Sequence, residues 1–193
     1  MPTKKNSEIK PEITVVLIKP DGVKRKIVGE IITRFEKIGL KLTASKLIWV
    51  DSTHAGKHYA DDNEYHKTVG VKTLENYKKY GLDVNENLGT KDPVEIGKIV
   101  RKWNMEMLSA GPVMAMIWQG PPGTVELVRK VVGYTFPFDA LPGTIRGDYG
   151  FDSSYYANLE KRTADSIVHA SGNVKEAEFE RKLWFRENEI YEY

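Results

Sequence analysis

Four histidines occur in the chain, His54, His58, His66 and His169, and the surroundings of the last set it apart. His169 lies in Ser166-Ile167-Val168-His169-Ala170-Ser171-Gly172-Asn173, between an apolar pair and the start of a helical pattern. The small residues after it leave room for a ligand. A helix N-terminus favours anions, because its unpaired amides and aligned peptide dipoles face the incoming charge. A histidine so placed has two readings: a partly buried ring bonded to backbone, or a nucleophile that carries a group covalently. Cations in Gly/Pro-flanked segments give a second signal, Lys19 in IKPDG and Arg146 in PGTIRGD. An arginine in a rigid loop presents a planar fork that fits phosphate oxygens, and neighbouring glycines let backbone amides approach. Plain turn chemistry with surface charge explains either motif equally well. Arg129, just before Gly133 and Thr135, reads by itself as a solvated helix charge.

What the sequence lacks narrows the chemistry. With no cysteine, a disulfide framework, a thiolate zinc site and a cysteine nucleophile are excluded, and a reducing, cytoplasmic setting is expected. Neither G-x-x-x-x-G-K-[ST] nor G-x-G-x-x-G occurs, so no P-loop or dinucleotide turn is expected. The absence of H-E-x-x-H spacing argues against a protein-caged transition metal, and that of G-x-S-x-G against a hydrolase elbow. Twenty-nine Lys and Arg stand against 27 Asp and Glu, a net charge of +2. That balance, without an aromatic/basic RNA-binding pattern, gives no expectation of nucleic-acid binding. Any bound anion must be held by a local cluster. No apolar run approaches the ~18 residues of a membrane span, and Met1 to Lys10 is too polar for a signal peptide. Trp49, Trp103, Trp118 and Trp184 sit among apolar residues and are expected in the core.

Those residues need a frame. At 193 residues, 40% hydrophobic and 29% charged, the chain is long enough for a full core. Residues 1–11 read as a polar tail before one domain over 12–193. Ile13 to Ile18 is a β-branched run ending in a Lys19-Pro20-Asp21-Gly22 turn. Val28, Ile31, Ile32, Phe35 and Ile38 recur at helical spacing, closed by Gly39. Strands are expected over 40–50, 112–118 and 144–149. Helices are expected over 54–59, 69–80, from the Asp92-Pro93 cap to Met107, 124–132, and from the Asn173/Glu176 capping pair through Phe185. About four strands alternating with helices suit an α+β, ferredoxin-like split βαβ sandwich: a four-stranded antiparallel sheet with covering helices.

Together these segments resemble the nucleoside diphosphate kinase family in five motifs taken in order. They are IKPDGV with Lys19, the strand opened by Gly111-Pro112-Val113, RKVVGYTFP from Arg129, PGTIRGD with Arg146, and His169-Ala170-Ser171 followed by Glu180 and Leu183-Trp184-Phe185. The likeness covers residues 13–61 and 104–190, with insertions near 62–103 and 150–163. It implies that His169 accepts the γ-phosphoryl of a nucleoside triphosphate, usually ATP, and passes it to a nucleoside diphosphate, giving ping-pong kinetics. Glu180 would orient the ring, Lys19, Arg129 and Arg146 would hold phosphates, and Thr135 would donate a hydroxyl. Tyr59 would sit beside the histidine, and Ser171 would add a polar contact there. Mg²⁺ would ride mainly on the nucleotide phosphates, with no protein metal ligands expected. A homo-oligomer is implied, a hexamer ahead of a tetramer. Three positions depart from the family pattern: Ser166 replaces an asparagine that contacts ribose and phosphate, Ala170 a glycine, and Gly172 an acid near the metal. The base-stacking aromatic falls in the first insertion, where Tyr65, Val100 and Trp103 are equal candidates. The departures also motivate a second reading, a nucleotide-binding regulatory member without catalysis.

Overall fold

The computed structural model describes residues 10–193. Of the tail expected over 1–11, residues 1–9 lie outside the described residues. Four strands, β1 (Glu12–Ile18), β2 (Lys41–Ile48), β3 (Val113–Gly120) and β4 (Val168–Ala170), form one antiparallel sheet in the order β2-β3-β1-β4. This is the ferredoxin-like arrangement, with β3 inserted between β1 and β2. β1 reads as a continuous apolar run because both its faces are covered. Val16 and Ile18 pack with Met116 and Trp118 on one side, while Val15 and Leu17 pack with Ala115 and Ile117 on the other.

On the first face lie α2 (Val28–Lys37) and α7 (Thr124–Val132), each presenting one apolar stripe. Phe35 of α2 meets Trp118 with ring centroids 5.2 Å apart. Burying a side chain of this size contributes roughly 1.5–3 kcal/mol. On the second face lie α3 (Ser52–His58), α6 (Pro93–Ser109) and α10 (Val174–Trp184), with Ala55, Leu108 and Trp184 turned inward. Asp51 caps α3, Asp92 caps α6, and Asn173 caps α10, each side chain accepting backbone amides.

Two local expectations are corrected. The Lys19-Pro20-Asp21-Gly22 segment is no simple turn: Pro20 opens a short helix, α1 (Pro20–Lys24). Proline suits that position because its missing N–H would be unpaired there anyway. Residues 144–149 form no strand; Thr144 caps α8 (Ile145–Tyr149), its hydroxyl accepting the Gly147 amide. The fourth strand is instead the three-residue segment that carries His169.

Residues 62–103 hold more helix than the one expected over 69–80. α4 (Asn63–Tyr80) runs from the Asp62 cap to Gly81, α5 (Val84–Leu88) follows, and α4 lies against α6. The crossing is close: a Cβ at Gly70 would sit 1.8 Å from the Pro93 carbonyl oxygen, and one at Gly97 would sit 2.0 Å from that of His66. Residues 150–163 carry α9 (Ser154–Leu159), which packs on α4. Tyr80 meets Tyr155 at 5.1 Å, and the Thr163 hydroxyl donates to Asn104 Oδ1 at 2.6 Å. The two segments, 62–103 and 150–163, therefore support each other.

Candidate active site

His169 sits opposite Leu17 in the β1–β4 ladder. Its neighbours Val168 and Ala170 join the first-face core, so strand alternation turns the imidazole to the other face, toward α10. There Nε2 lies 2.6 Å from Oε1 of Glu180. The second carboxylate oxygen, Oε2, accepts the Ser171 hydroxyl at 2.6 Å, and that hydroxyl accepts the Val15 amide at 3.1 Å. Burial pushes the Glu180 carboxyl up, but His169 and the hydrogen bonds from His169 and Ser171 outweigh it, and the pKa lies below the ordinary value. An ionised carboxylate only accepts, so the imidazole proton is on Nε2. Nδ1 keeps its lone pair.

His58 stands closest to this pair among the aromatic rings, and sequence reasoning did not select it. Its ring meets that of His169 edge-on, with centroids 4.6 Å apart and planes at 85°. Nδ1 of His58 accepts the Trp184 indole N–H at 3.3 Å. Burial, reinforced by His169, lowers its pKa to about 3, so it is neutral in ordinary buffers. Tyr59, expected beside the histidine, meets the His58 ring at 4.9 Å. Burial, with Tyr65 and Glu180 nearby, raises its phenol. The pairing of His58 with Tyr59 in sequence was the only available signal. His58, His169 and Glu180 hold three ligand-type atoms within 4.8 Å of one another. Those of the histidines are already engaged in hydrogen bonds.

The cations arrive from three elements. Arg146, in α8, donates Nε to the Ser166 carbonyl at 3.1 Å, Nη1 to those of Gly133 and Tyr134 at 3.0 Å, and Nη2 to that of Val168 at 2.6 Å. Of five N–H groups, one is left for a ligand. Burial and the neighbouring Arg129 both disfavour its charge. Lys19, at the end of β1, is 5% exposed and donates to the Ser166 hydroxyl at 2.7 Å. Burial lowers its pKa to about 8 against the pull of Asp21. Ser166 thus anchors both Lys19 and Arg146. Arg129, late in α7, is exposed and has no ion-pair partner among the described residues.

Arg129, Thr135, Arg146 and His169 line one cleft of about 370 Å³. Glu180 and Ser171 stand behind the imidazole, as their hydrogen bonds to it and to each other require. Glu176 is the acidic side chain in the cleft wall, and its carboxylate accepts the Gly172 amide at 2.8 Å. A Cβ at Gly172 would come within 2.5 Å of that carboxylate, so the missing acid at 172 leaves space that Glu176 fills. None of Tyr65, Val100 and Trp103 lines this cleft. Trp103 lines a separate cleft of about 690 Å³ with Trp49, which is 67% exposed rather than core. Arg101 of α6 also escaped sequence reasoning. It donates to the carbonyls of Gly56, Tyr59 and Ala60 at 2.8, 3.3 and 3.0 Å, tying α6 to the segment bearing His58.

A ferredoxin-like sheet with an oriented histidine beside buried and exposed cations suits a phosphotransferase, and comparison with known proteins shows that class. The sequence model of the family described as nucleoside diphosphate kinase matches residues 12–72 and 97–190. A nucleoside diphosphate kinase of Pyrobaculum aerophilum is 43% identical over 181 residues, 94% of this chain and 98% of that protein. One from Borreliella burgdorferi is 33% identical, covering 93% and 90%. Among solved structures, an NDP kinase from Pyrobaculum aerophilum superposes with a TM-score of 0.93 at 42% identity, over 95% of this chain and all of that one. A Borrelia burgdorferi transition-state mimic with bound vanadate and ADP gives 0.74 at 32% identity, over 95% and 92%. This chain belongs to the nucleoside diphosphate kinase family. The stretch its family model leaves unmatched, 73–96, holds the end of α4, all of α5 and the start of α6.

Proposed function

We propose that the chain transfers the γ-phosphoryl group of a nucleoside triphosphate, usually ATP, to a nucleoside diphosphate, with His169 as the covalent carrier. The observation that carries this reading is the 2.6 Å contact between Nε2 of His169 and Glu180, which leaves Nδ1 as the nucleophile. The Nδ1 lone pair forms a bond to the γ-phosphorus as the bond to the bridging oxygen breaks, and the diphosphate leaves with that electron pair. Glu180 holds the Nε2 proton throughout and offsets the positive charge that the ring acquires. A second diphosphate then takes the phosphoryl group back along the same line. Transfer of this kind asks for alignment and for positive charge on the moving oxygens. Lys19, Arg129 and the free N–H of Arg146 supply it, with the Thr135 hydroxyl as a further donor. Ser166 holds two of these cations in place, and the ribose contact it would make is secondary to that task. Tyr59 backs the site through His58.

Mg²⁺ bound to the nucleotide phosphates would neutralise further charge. Glu176 is the residue of this chain we assign to it, since its carboxylate takes the space beside Gly172. We further propose a homo-oligomer, a hexamer ahead of a tetramer. Phe138, Leu141 and Phe151 support it, being 70%, 74% and 79% exposed; sedimentation velocity would count the copies. A cytoplasmic setting is part of the same proposal, supported by a sequence without cysteine.

The deciding experiment incubates the protein with γ-labelled ATP and Mg²⁺ and tests for acid-labile, base-stable label. Label absent from His169→Gln and chased into GTP by GDP establishes both the kinase and its nucleophile. Nucleotide binding without label would favour the regulatory reading.

A further inference from the structure

Ile167, two residues before His169, has φ 65°, the left-handed region that β-branched residues avoid. The Val168 amide donates to the Ser166 carbonyl at 2.6 Å across it, closing a three-residue turn of the rare, positive-φ kind. A residue in such a conformation persists only where its surroundings enforce it. The enforcement here comes from the start of α1, 146 residues away in sequence. Oδ2 of Asp21 accepts the Ile167 amide at 2.8 Å, and the Lys19 amide donates to the Ile167 carbonyl at 2.8 Å. Gly22 lets α1 come this close, since a Cβ there would lie 3.1 Å from the Ile167 carbonyl oxygen. The other oxygen of Asp21, Oδ1, is buried without a hydrogen-bond partner. An acid kept at that expense needs a reason.

The residues on either side of the turn supply one. The Ser166 hydroxyl and carbonyl anchor Lys19 and Arg146, and the Val168 carbonyl anchors Arg146 again. The next residue is His169. One peptide unit therefore sets the distance between the nucleophile and two of the three cations. We propose that Asp21 is a positioning residue for phosphoryl transfer: its carboxylate clamps the strained turn at Ile167 and so fixes His169 against Lys19 and Arg146. The hydrogen-bond acceptor matters here more than the charge. The inference rests on His169 being the nucleophile, but the clamp itself can be observed without nucleotide.

The test compares Asp21→Ala with Asp21→Asn, which keeps an acceptor oxygen and drops the charge. Rapid-quench phosphorylation by γ-labelled ATP gives a rate per competent chain, the competent fraction being the label bound at completion. Chains that fail to fold lower that fraction and leave the rate untouched. Asp21→Ala should slow the rate about tenfold or more, since misplacement by a fraction of an ångström is costly, with the nucleotide concentration at half-rate little changed. Asp21→Asn should restore most of it. Hydrogen exchange over residues 166–168, measured on the free protein, should quicken in Asp21→Ala and stay slow in Asp21→Asn. An unchanged rate per competent chain in Asp21→Ala would overturn the proposal. So would an Asp21→Asn protein as slow as the alanine variant, which would make the charge the active element. Label persisting in His169→Gln would instead remove the nucleophile reading and leave the exchange result to judge the clamp alone.

Discussion

Glu180 and His169 meet through a 2.6 Å contact between Oε1 and Nε2, and the other oxygen of the same carboxylate is held by Ser171 at the same distance. The arrangement dictates which imidazole nitrogen carries the proton. In Glu180→Gln the side-chain amide can donate to Nε2, which would move the proton to Nδ1 and remove the lone pair that attacks. Phosphohistidine formation should slow by roughly 10²-fold, the scale on which such proton control acts. Nucleotide affinity should hold, because Glu180 lies outside the cleft wall. Rapid-quench labelling beside equilibrium nucleotide titration checks both.

Lys19 gives the site a pH signature. Burial lowers its pKa from 10.5 to about 8. The folded chain thus favours the neutral amine: the cost of keeping it charged is present in full below pH 8 and fades as pH rises toward 10.5. Polyphosphate should reverse the shift by favouring the ammonium. Nucleotide binding at about pH 9 should therefore take up close to one proton, and affinity should fall up to about tenfold per pH unit between these two pKa values. Calorimetry in two buffers of different ionisation heat measures the uptake. Lys19→Met should abolish it.

Glu176 fills the place left by the side chain missing at Gly172. Glu176→Gln keeps the shape and the acceptor for the Gly172 amide but loses the charge. If this carboxylate attends the metal, half-saturating Mg²⁺ at fixed nucleotide should rise by up to about tenfold, the range of changes close to a metal's ligands. Mn²⁺ binding in the presence of nucleotide, read by its paramagnetic signal, should weaken in parallel. An unaltered Mg²⁺ requirement would leave Glu176 with only its capping role.

The crossing of α4 over α6 depends on two glycines that meet backbone. Gly70→Ala or Gly97→Ala would put a methyl on a carbonyl oxygen, and the helices would have to part. Overpacking of this sort costs about 1–3 kcal/mol, which for a chain of this size is a fall of roughly 2–12 °C in melting temperature. Because Arg101 links α6 to the backbone beside His58, turnover should drop with it. Scanning calorimetry and steady-state assays on the same samples separate the two effects.

Much of the chemistry was legible in residue order. His169, Lys19 and Arg146 stood out because each sits in a short segment whose glycines, prolines or caps act on near neighbours, and such signals survive in one dimension; Glu180 and Arg129 came only with the family resemblance. The same locality explains the readable caps at Asp51, Asp92 and Asn173, and the buried run of β1. At 144–149 a local signal was misread. There the choice between strand and helix turned on the Thr144 hydroxyl reaching the Gly147 amide. Tertiary structure decided the rest. The pairing of Lys19 with Ser166 spans 147 residues, and that of Ser171 with Val15 spans 156. The edge-on packing of His58, the free nitrogen of His169 and the strained turn at Ile167 likewise depend on elements far apart in the chain. Composition and spacing specify which groups are available. Only the closed sheet, by bringing the end of β1 beside β4 and α10, fixes the orientations that make them a site.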